Sequence, residues 1–87
     1  MADTFLLEVA TPKSLLVRDQ VREAQIPARN GYVGILPGHA ALLAELGEGR
    51  LSYTAEGCRR SLTVQGGWLE VAGDHVRVLA NGAGKEG

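Results

Sequence analysis

Two histidines and one cysteine are the residues of this chain best suited to bind a metal ion or to act as a nucleophile. His39, Cys58 and His75 stand singly and far apart in the sequence. Zinc sites are usually marked by closely spaced pairs of Cys or His ligands, and no such pair occurs. The spacing therefore favours a polar loop histidine and a strand-edge histidine over a metal centre.

Other arrangements that could support chemistry are equally sparse. Cys58 precedes Arg59-Arg60, but neither an oxyanion loop nor an orienting acid accompanies it. The two arginines are typical of a solvated strand start, with contact to an anion as the alternative. Gly31-x-x-Gly34 and Gly47-x-Gly49 lack the following helix that a phosphate cradle needs. We therefore predict no catalytic residue, no metal and no cofactor.

Size and charge narrow the possible function classes. The chain has 87 residues, nine basic against ten acidic. This length supports one domain, and the even charge balance argues against a nucleic-acid binder, which needs a basic stripe. A single cysteine excludes an internal disulfide. No apolar stretch approaches the ~20 residues that a membrane-spanning helix requires.

The elements that must position these residues are strands. Apolar and polar residues alternate in Thr4–Ala10, in Leu51–Glu56 and again in Ser61–Gln65. We predict tight turns at Glu56-Gly57, Gly66-Gly67 and Gly73-Asp74, since glycine permits the positive φ angles of hairpins.

Turn signals every eight to ten residues predict an all-β fold, a small antiparallel β-sandwich of about ten short strands with no substantial helix. We expect the domain to span residues 1–81. The glycine-rich residues 82–87 are predicted to form a flexible tail.

Two aromatic side chains are expected to be exposed. Trp68 shares the strand parity of Glu70 and opposes Leu69 and Val71, which favours partial exposure or an interface over the core. Tyr32 lies in a glycine-flanked turn and is expected to project outward. From the residues alone, the chain is a small β-sandwich that binds something through shape.

Four sequence features together resemble a known family. Phe5–Ala10 leads into Thr11-Pro12, Gly31-x-x-Gly34 leads into Ile35-Leu36-Pro37-Gly38-His39-Ala40, Gly66-Gly67-x-Leu69-Glu70-Val71 forms a third motif, and Asp74–Ala80 a closing strand. Over residues 4–81 the chain resembles the N-terminal β-sandwich domain of the ε subunit of F-type ATP synthases. Ala41 departs from the proline that the family commonly has there. The C-terminal helical hairpin of full-length members, with its inhibition and nucleotide sensing, lies outside the sequence and is not carried over.

The resemblance implies a non-catalytic rotor subunit that joins the γ subunit to the membrane c-ring, so that proton-driven rotation is coupled to ATP synthesis. It implies a peripheral location on the cytoplasmic face of a bacterial inner membrane, reached only through the complex, without direct nucleotide or nucleic-acid binding. The alternative is a free-standing β-sandwich binding module for a small ligand or carbohydrate, with Trp68 and Tyr32 as stacking platforms. The resemblance implies γ contacts at Pro37, Gly38, His39, Ala40 and Leu42, and c-ring contacts at Arg29, Asn30, Gly31 and Tyr32.

Overall fold

The computed structural model describes residues 3–85, and every regular element among them is a strand. This part of the chain contains no helix that could cross a membrane. The eight strands are β1 (Phe5–Ala10), β2 (Leu15–Val21), β3 (Glu23–Ala28), β4 (Gly31–Ile35), β5 (Leu42–Glu45), β6 (Glu48–Ala55), β7 (Cys58–Ala72) and β8 (His75–Lys85). The predicted all-β class is confirmed, with eight strands in place of about ten.

A single folded sheet makes the sandwich. Its strand order is β2-β1-β8-β7-β6-β3-β4, and β5 also pairs with β7. β6 pairs with the first part of β7 and β5 with the last part, so the two lie end to end along one long strand. The interruption between them, at Leu46 and Gly47, lies beside Gly66 and Gly67 of β7, where Leu46 N–H donates to Gly67 O (2.9 Å). The sheet folds over itself along this line.

Gly66-Gly67 is a bend inside β7, so the turn predicted there is wrong. Both residues have positive φ, +65° and +119°, yet pairing of β7 with β8 resumes on either side without a change of register. A Cβ on Gly67 would lie 1.9 Å from the carbonyl oxygen of Leu79. Glycine here permits a close backbone approach rather than a chain reversal. The other two predicted turns, at Glu56-Gly57 and Gly73-Asp74, are confirmed.

The two ends of the chain differ from the sequence prediction. β1 pairs with β8 in parallel, from Leu6 opposite His75 to Ala10 opposite Leu79, so the sandwich is not wholly antiparallel. The intervening chain is long enough to return in the same direction, which a tight hairpin cannot do. β8 also continues through residues 82–85, opposite Leu62–Gln65 of β7, where a flexible tail was predicted. Residues 86 and 87 of that predicted tail lie outside the described part.

The core lies between the two halves of the folded sheet, and the predicted alternation accounts for it. Phe5, Leu7 and Val9 are buried while Leu6 and Glu8 are partly exposed, as a period of two requires. Every strand except β5 contributes a fully buried side chain, and β5 contributes the partly buried Leu42. Outside β1 the hydrophobic core cluster contains Val21, Ala24, Ile26, Ile35, Leu46, Leu51, Tyr53, Ala55, Leu62, Val64, Leu69, Val71, Val76, Val78 and Ala80.

Candidate contact surfaces

The loop predicted to contact γ is a well-defined turn followed by a strand. His39 N–H donates to Leu36 O (3.1 Å), and Gly38 has φ +85° after Pro37, the arrangement of a type II turn. His39 Nδ1 lies 2.7 Å from Ala40 O, so the imidazole contacts the backbone of its own loop. Gly38 and Ala40 are exposed, whereas Pro37 and His39 are half-buried. The loop thus presents a fixed backbone bend with one partly covered imidazole.

The last residue of that predicted set faces the interior. Leu42, the first residue of β5, packs against the core, while its neighbour Leu43 points outward and is 69% exposed. The alternation of a strand allows only one of two adjacent side chains to face a partner on that side. The structure therefore offers Leu43 rather than Leu42 as the exposed leucine of this segment.

The turn predicted to contact the c-ring joins β3 to β4. Ala28 pairs with Gly31, which leaves Arg29 and Asn30 at the exposed tip. The guanidinium Nη1 of Arg29 lies 3.0 Å from Glu45 Oε1, and Arg29 N–H donates to Glu45 O (2.9 Å). These bonds tie the tip to β5, so that Asn30 is the member of the tip with the fewest constraints.

Tyr32 is exposed, as predicted, but its hydroxyl is already engaged. The hydroxyl oxygen accepts a hydrogen bond from Arg50 N–H of β6 (3.0 Å). A Cβ on Gly49 would approach that oxygen to 2.6 Å, so the absence of a side chain at position 49 makes room for the tyrosine. Tyr32 thus links β4 to β6 through this hydrogen bond, while part of its ring remains in solvent.

A shallow cleft of about 290 Å³ brings the residues predicted to contact the c-ring together with Leu42, one member of the predicted γ set. Arg29, Asn30, Gly31 and Tyr32 line one part of it and Leu42 another. The sequence alone does not predict the distance between these segments. The structure places the β3–β4 turn directly beside β5, with Arg29 bonded to Glu45 at the end of that strand.

An exposed apolar feature lies on the outward side of the sheet formed by β1, β8, β7 and β5, which we call the outer face. Leu43, Trp68 and Leu79 are 69%, 53% and 51% exposed and surround one shallow depression with Glu70 and Arg77. Trp68 of β7 lies directly opposite Leu79 of β8. We call these three side chains the apolar cluster. The predicted partial exposure of Trp68 is confirmed.

Sequence reasoning missed Leu43 and Leu79 as exposed residues of this face. Leu79 alternates with the buried Val78 and Ala80, and Leu43 with the half-buried Leu42 and Ala44. A strict period-two count through Trp68 would have assigned both positions outward once the cross-strand register was known. That register is tertiary information, because it sets which outward residues become neighbours.

Charged side chains form a second line on the same face. Glu8 forms an ion pair with Arg18, whose Nε lies 3.1 Å from its carboxylate, and a hydrogen bond with His75, whose Nε2 lies 2.5 Å away. Arg77 Nε lies 3.8 Å from the same carboxylate. Arg77 Nη1 lies 4.0 Å from Glu70 Oε1. The hydrogen bond from His75, followed by the neighbouring Arg18, lowers the pKa of Glu8 against the opposing effect of partial burial. We call Arg18, Glu8, Arg77 and Glu70 the charged row.

The residues that the sequence singled out for chemistry are not brought together. His39 contacts its own loop, His75 binds Glu8, and Cys58 is exposed at the far end of the β6–β7 hairpin. Within residues 3–85, no three His, Cys, Asp or Glu side chains are grouped as metal ligands would be. Trp68 and Tyr32, the suggested stacking pair, line separate depressions.

A folded sheet with an exposed apolar cluster, an internally paired charged row and short rigid bends defines a small β-sandwich interaction domain. A profile of the ATP synthase delta/epsilon chain β-sandwich domain matches residues 4–86, and the chain belongs to this family.

Among curated relatives, the ATP synthase epsilon chain of Solibacter usitatus is 59% identical over 81 residues, which cover 93% of this chain and 60% of that protein. The ATP synthase epsilon chain of Koribacter versatilis is 49% identical over 83 residues, covering 95% and 58%. The chain therefore spans about 60% of the length of these relatives.

Solved structures share the fold at low sequence identity. A chain in the mitochondrial ATP synthase of Euglena gracilis superposes with a TM-score of 0.89 at 22% identity, covering 98% of this chain and 55% of that one. A chain in the central stalk and c-ring of the Tetrahymena thermophila mitochondrial ATP synthase gives 0.76 at 14% identity, covering 92% and 65%. These likenesses confirm the β-sandwich.

Proposed function

We propose that this chain is a non-catalytic rotor subunit of a bacterial F-type ATP synthase, joining the γ subunit to the c-ring. In this role it transmits torque and makes no bond in a substrate. Its family and its bacterial epsilon-chain relatives support the assignment. The same fold in a structure of an ATP synthase central stalk and c-ring supports the position in the complex. The corresponding location is the cytoplasmic face of the inner membrane, through the complex alone.

The observation that carries the proposal is the apolar cluster. Three large apolar side chains, each more than half exposed, converge on one side of a rigid sheet. Isolated exposed apolar residues are common, but a contiguous group marks a contact surface. Tryptophan is among the residues that contribute most to binding when a partner buries it. We assign the outer face to the γ subunit.

The Pro37–Leu42 loop extends this surface. It leads directly into β5, whose Leu43 belongs to the apolar cluster. The type II turn fixes the backbone without requiring a long side chain, so the loop can lie flat against a partner. Pro37, Gly38, His39 and Ala40 therefore remain γ contacts in the proposal, and Leu43 takes the place of Leu42 as the leucine that a partner reaches.

The β3–β4 turn is assigned to the c-ring. Asn30 forms its exposed tip, and Arg29 and Tyr32 are held to β5 and β6 by the bonds described above. A turn tied on both sides can press on a partner without deforming. Such stiffness suits a joint that must resist shear during rotation.

Binding of the purified γ subunit tests the first contact. We expect wild-type protein to shift in size-exclusion chromatography with γ at micromolar concentration, and Leu43→Asp to lose the shift. Leu16→Asp is the matched control, because Leu16 is a half-exposed leucine that lines a groove near Tyr53 and Ala83, away from the apolar cluster. Absence of a complex with wild-type protein would overturn the proposal. Thermal unfolding of each variant establishes that it is folded.

Site-directed cross-linking tests the second contact. Asn30→Cys in a Cys58→Ser background, carrying a short photoactivatable cross-linker, should form an adduct with the c subunit in reconstituted membranes. The natural Cys58 carries the same reagent as control, since it is the first residue of β7 and pairs with Ala55 at the end of β6 remote from the β3–β4 turn. Equal c-subunit adducts from both positions would contradict the assignment of the turn.

A further inference from the structure

The charged row is a register-matched line across four neighbouring strands. Arg18 of β2 lies opposite Glu8 of β1, Glu8 lies opposite Arg77 of β8, and Arg77 lies opposite Glu70 of β7. The signs alternate, and consecutive members are 3.1, 3.8 and 4.0 Å apart at their nearest charged atoms. Cross-strand pairs of opposite charge are mutually stabilising.

Any partner of ordinary size that covers the apolar cluster also covers part of the charged row. Glu70 lies two residues beyond Trp68 on the same side of β7, and Arg77 lies two residues before Leu79 on β8. Leu43 of β5 lies opposite Glu70. The depression at the centre of the apolar cluster is lined by Glu70 and Arg77 as well. A partner that covers Trp68 must therefore remove water from at least these two charges.

Removing water from a charge is unfavourable unless an opposite charge stays close. The charged row contains two guanidinium groups and two carboxylates, so the charges of its four members sum to zero. The side chain of Glu8, at its centre, is only 19% exposed before any partner binds. Each carboxylate already has a cation within 4.0 Å. The row can be covered without receiving a charge from the partner.

We propose that the partner covers the charged row with an uncharged surface. The ion pairs within the row then take the place of the opposite charges that the partner would otherwise have to supply. The inference rests on the proposed function for the identity of the partner, the γ subunit. It adds the chemistry of the partner surface, which is apolar over Leu43, Trp68 and Leu79 and polar but uncharged over Glu70 and Arg77.

Paired charge neutralisation tests this inference. The dissociation constant for γ is measured for wild-type protein, Glu70→Gln, Arg77→Gln and the double variant, at low and at moderate salt. Each single change leaves one net charge under the partner, and we expect about a tenfold or larger loss of affinity. The double variant keeps Arg18 paired with Glu8, and its affinity should return to within about threefold of wild type. Wild-type affinity should depend weakly on salt.

Other outcomes would overturn the inference in distinct ways. A partner carrying an acidic patch would bind Glu70→Gln more tightly and Arg77→Gln more weakly, without rescue in the double variant, and a basic patch would reverse the signs. Unchanged affinity in all three variants would show that the charged row stays hydrated. In each of these cases wild-type protein still binds γ, so the proposed function survives. Failure of wild-type protein to bind would instead remove both.

Discussion

The outer face and the β3–β4 turn differ in how they could hold a partner. The outer face presents three large apolar side chains from three strands, and its polar groups are paired with one another. The turn presents Arg29 and Asn30 at a hairpin tip, with Arg29 tied to Glu45. The first surface can bury apolar area, whereas the second can offer shape and a few polar groups.

Because of this difference, we expect the outer face to supply most of the binding affinity and the turn to guide the position of the domain. Burial of apolar area contributes roughly 25 cal/mol per Å², which makes the outer face the surface suited to a lasting attachment. A polar turn gains little from burial, so its contact with a moving ring is expected to be weaker and to depend on geometry. Because Arg29 N–H donates to Glu45 O of β5, the strand that also carries Leu43, the two surfaces are directly connected. The domain can therefore be attached at one surface and guided at the other.

We expect the largest effect from a substitution at Gly67, in the bend of β7 on which the outer face depends. Gly67→Ala places a Cβ where the carbonyl oxygen of Leu79 would lie 1.9 Å away, at a φ of +119° that alanine rarely adopts. We expect a loss of about 3 kcal/mol or more in the free energy of unfolding, measured with urea. Gly73→Ala is the matched control: its φ is +63°, nothing lies within 4 Å of its Cβ, and about 1 kcal/mol is expected. Similar losses at both positions would show that the bend is not a close approach.

Truncation of the central aromatic side chain is the next largest effect. Trp68→Ala should weaken γ binding by about 2 kcal/mol, some thirtyfold in the dissociation constant, while the domain stays folded because half of the side chain is already in solvent. Isothermal titration calorimetry measures this loss. Tyr32→Ala is the comparison from the turn and should change γ affinity by less than about threefold. Equal losses would mean that γ contacts both surfaces.

Measuring the unfolding free energy as a function of acid pH tests the interactions of Glu8, at the centre of the charged row. Interaction with His75 and Arg18 lowers the pKa of Glu8 below its usual 4.5 in the folded protein. A depressed carboxyl pKa stabilises the fold above the unfolded-state pKa, and this stabilisation is lost as pH falls through the folded-state pKa. The difference in unfolding free energy between wild type and Glu8→Gln should therefore be constant near neutrality and shrink below about pH 4.5. A constant difference down to pH 2.5 would contradict the assigned interactions.

The smallest effect is expected for the ion pair that links the β3–β4 turn to β5. Arg29 and Glu45 form an exposed ion pair, with side chains 71% and 50% accessible. Arg29→Ala is expected to change the unfolding free energy by less than about 1 kcal/mol, because exposed pairs are weak. The backbone bond from Arg29 N–H to Glu45 O remains in the variant. A double-mutant cycle with Glu45→Ala measures the pair directly, and a coupling well above 1 kcal/mol would show that the side chains, not the backbone, hold the turn.

Several structural features of the candidate contact surfaces could be predicted from the sequence, and those that could not have identifiable causes. The Pro37-Gly38 corner, the exposed Tyr32 and the outward Trp68 follow from local rules on turns and alternation. The resemblance implies Leu42 as a γ contact, and parity alone does not state which side of β5 faces the core. Glu8 and His75 are far apart in sequence, and only the parallel pairing of β1 with β8 brings them within hydrogen-bond distance.

The sequence by itself determined the all-β class, most of the core and the family, because burial on alternate residues and turn chemistry are local properties of the chain. Only the tertiary structure decided that Gly66-Gly67 is a bend in a continuous strand, since two glycines permit a reversal and a close approach equally well. It also decided that Leu43, Trp68 and Leu79 meet, and that the charges beside them neutralise one another. These features depend on pairing between distant strands, and the free energy of that pairing belongs to the assembled sheet rather than to any segment.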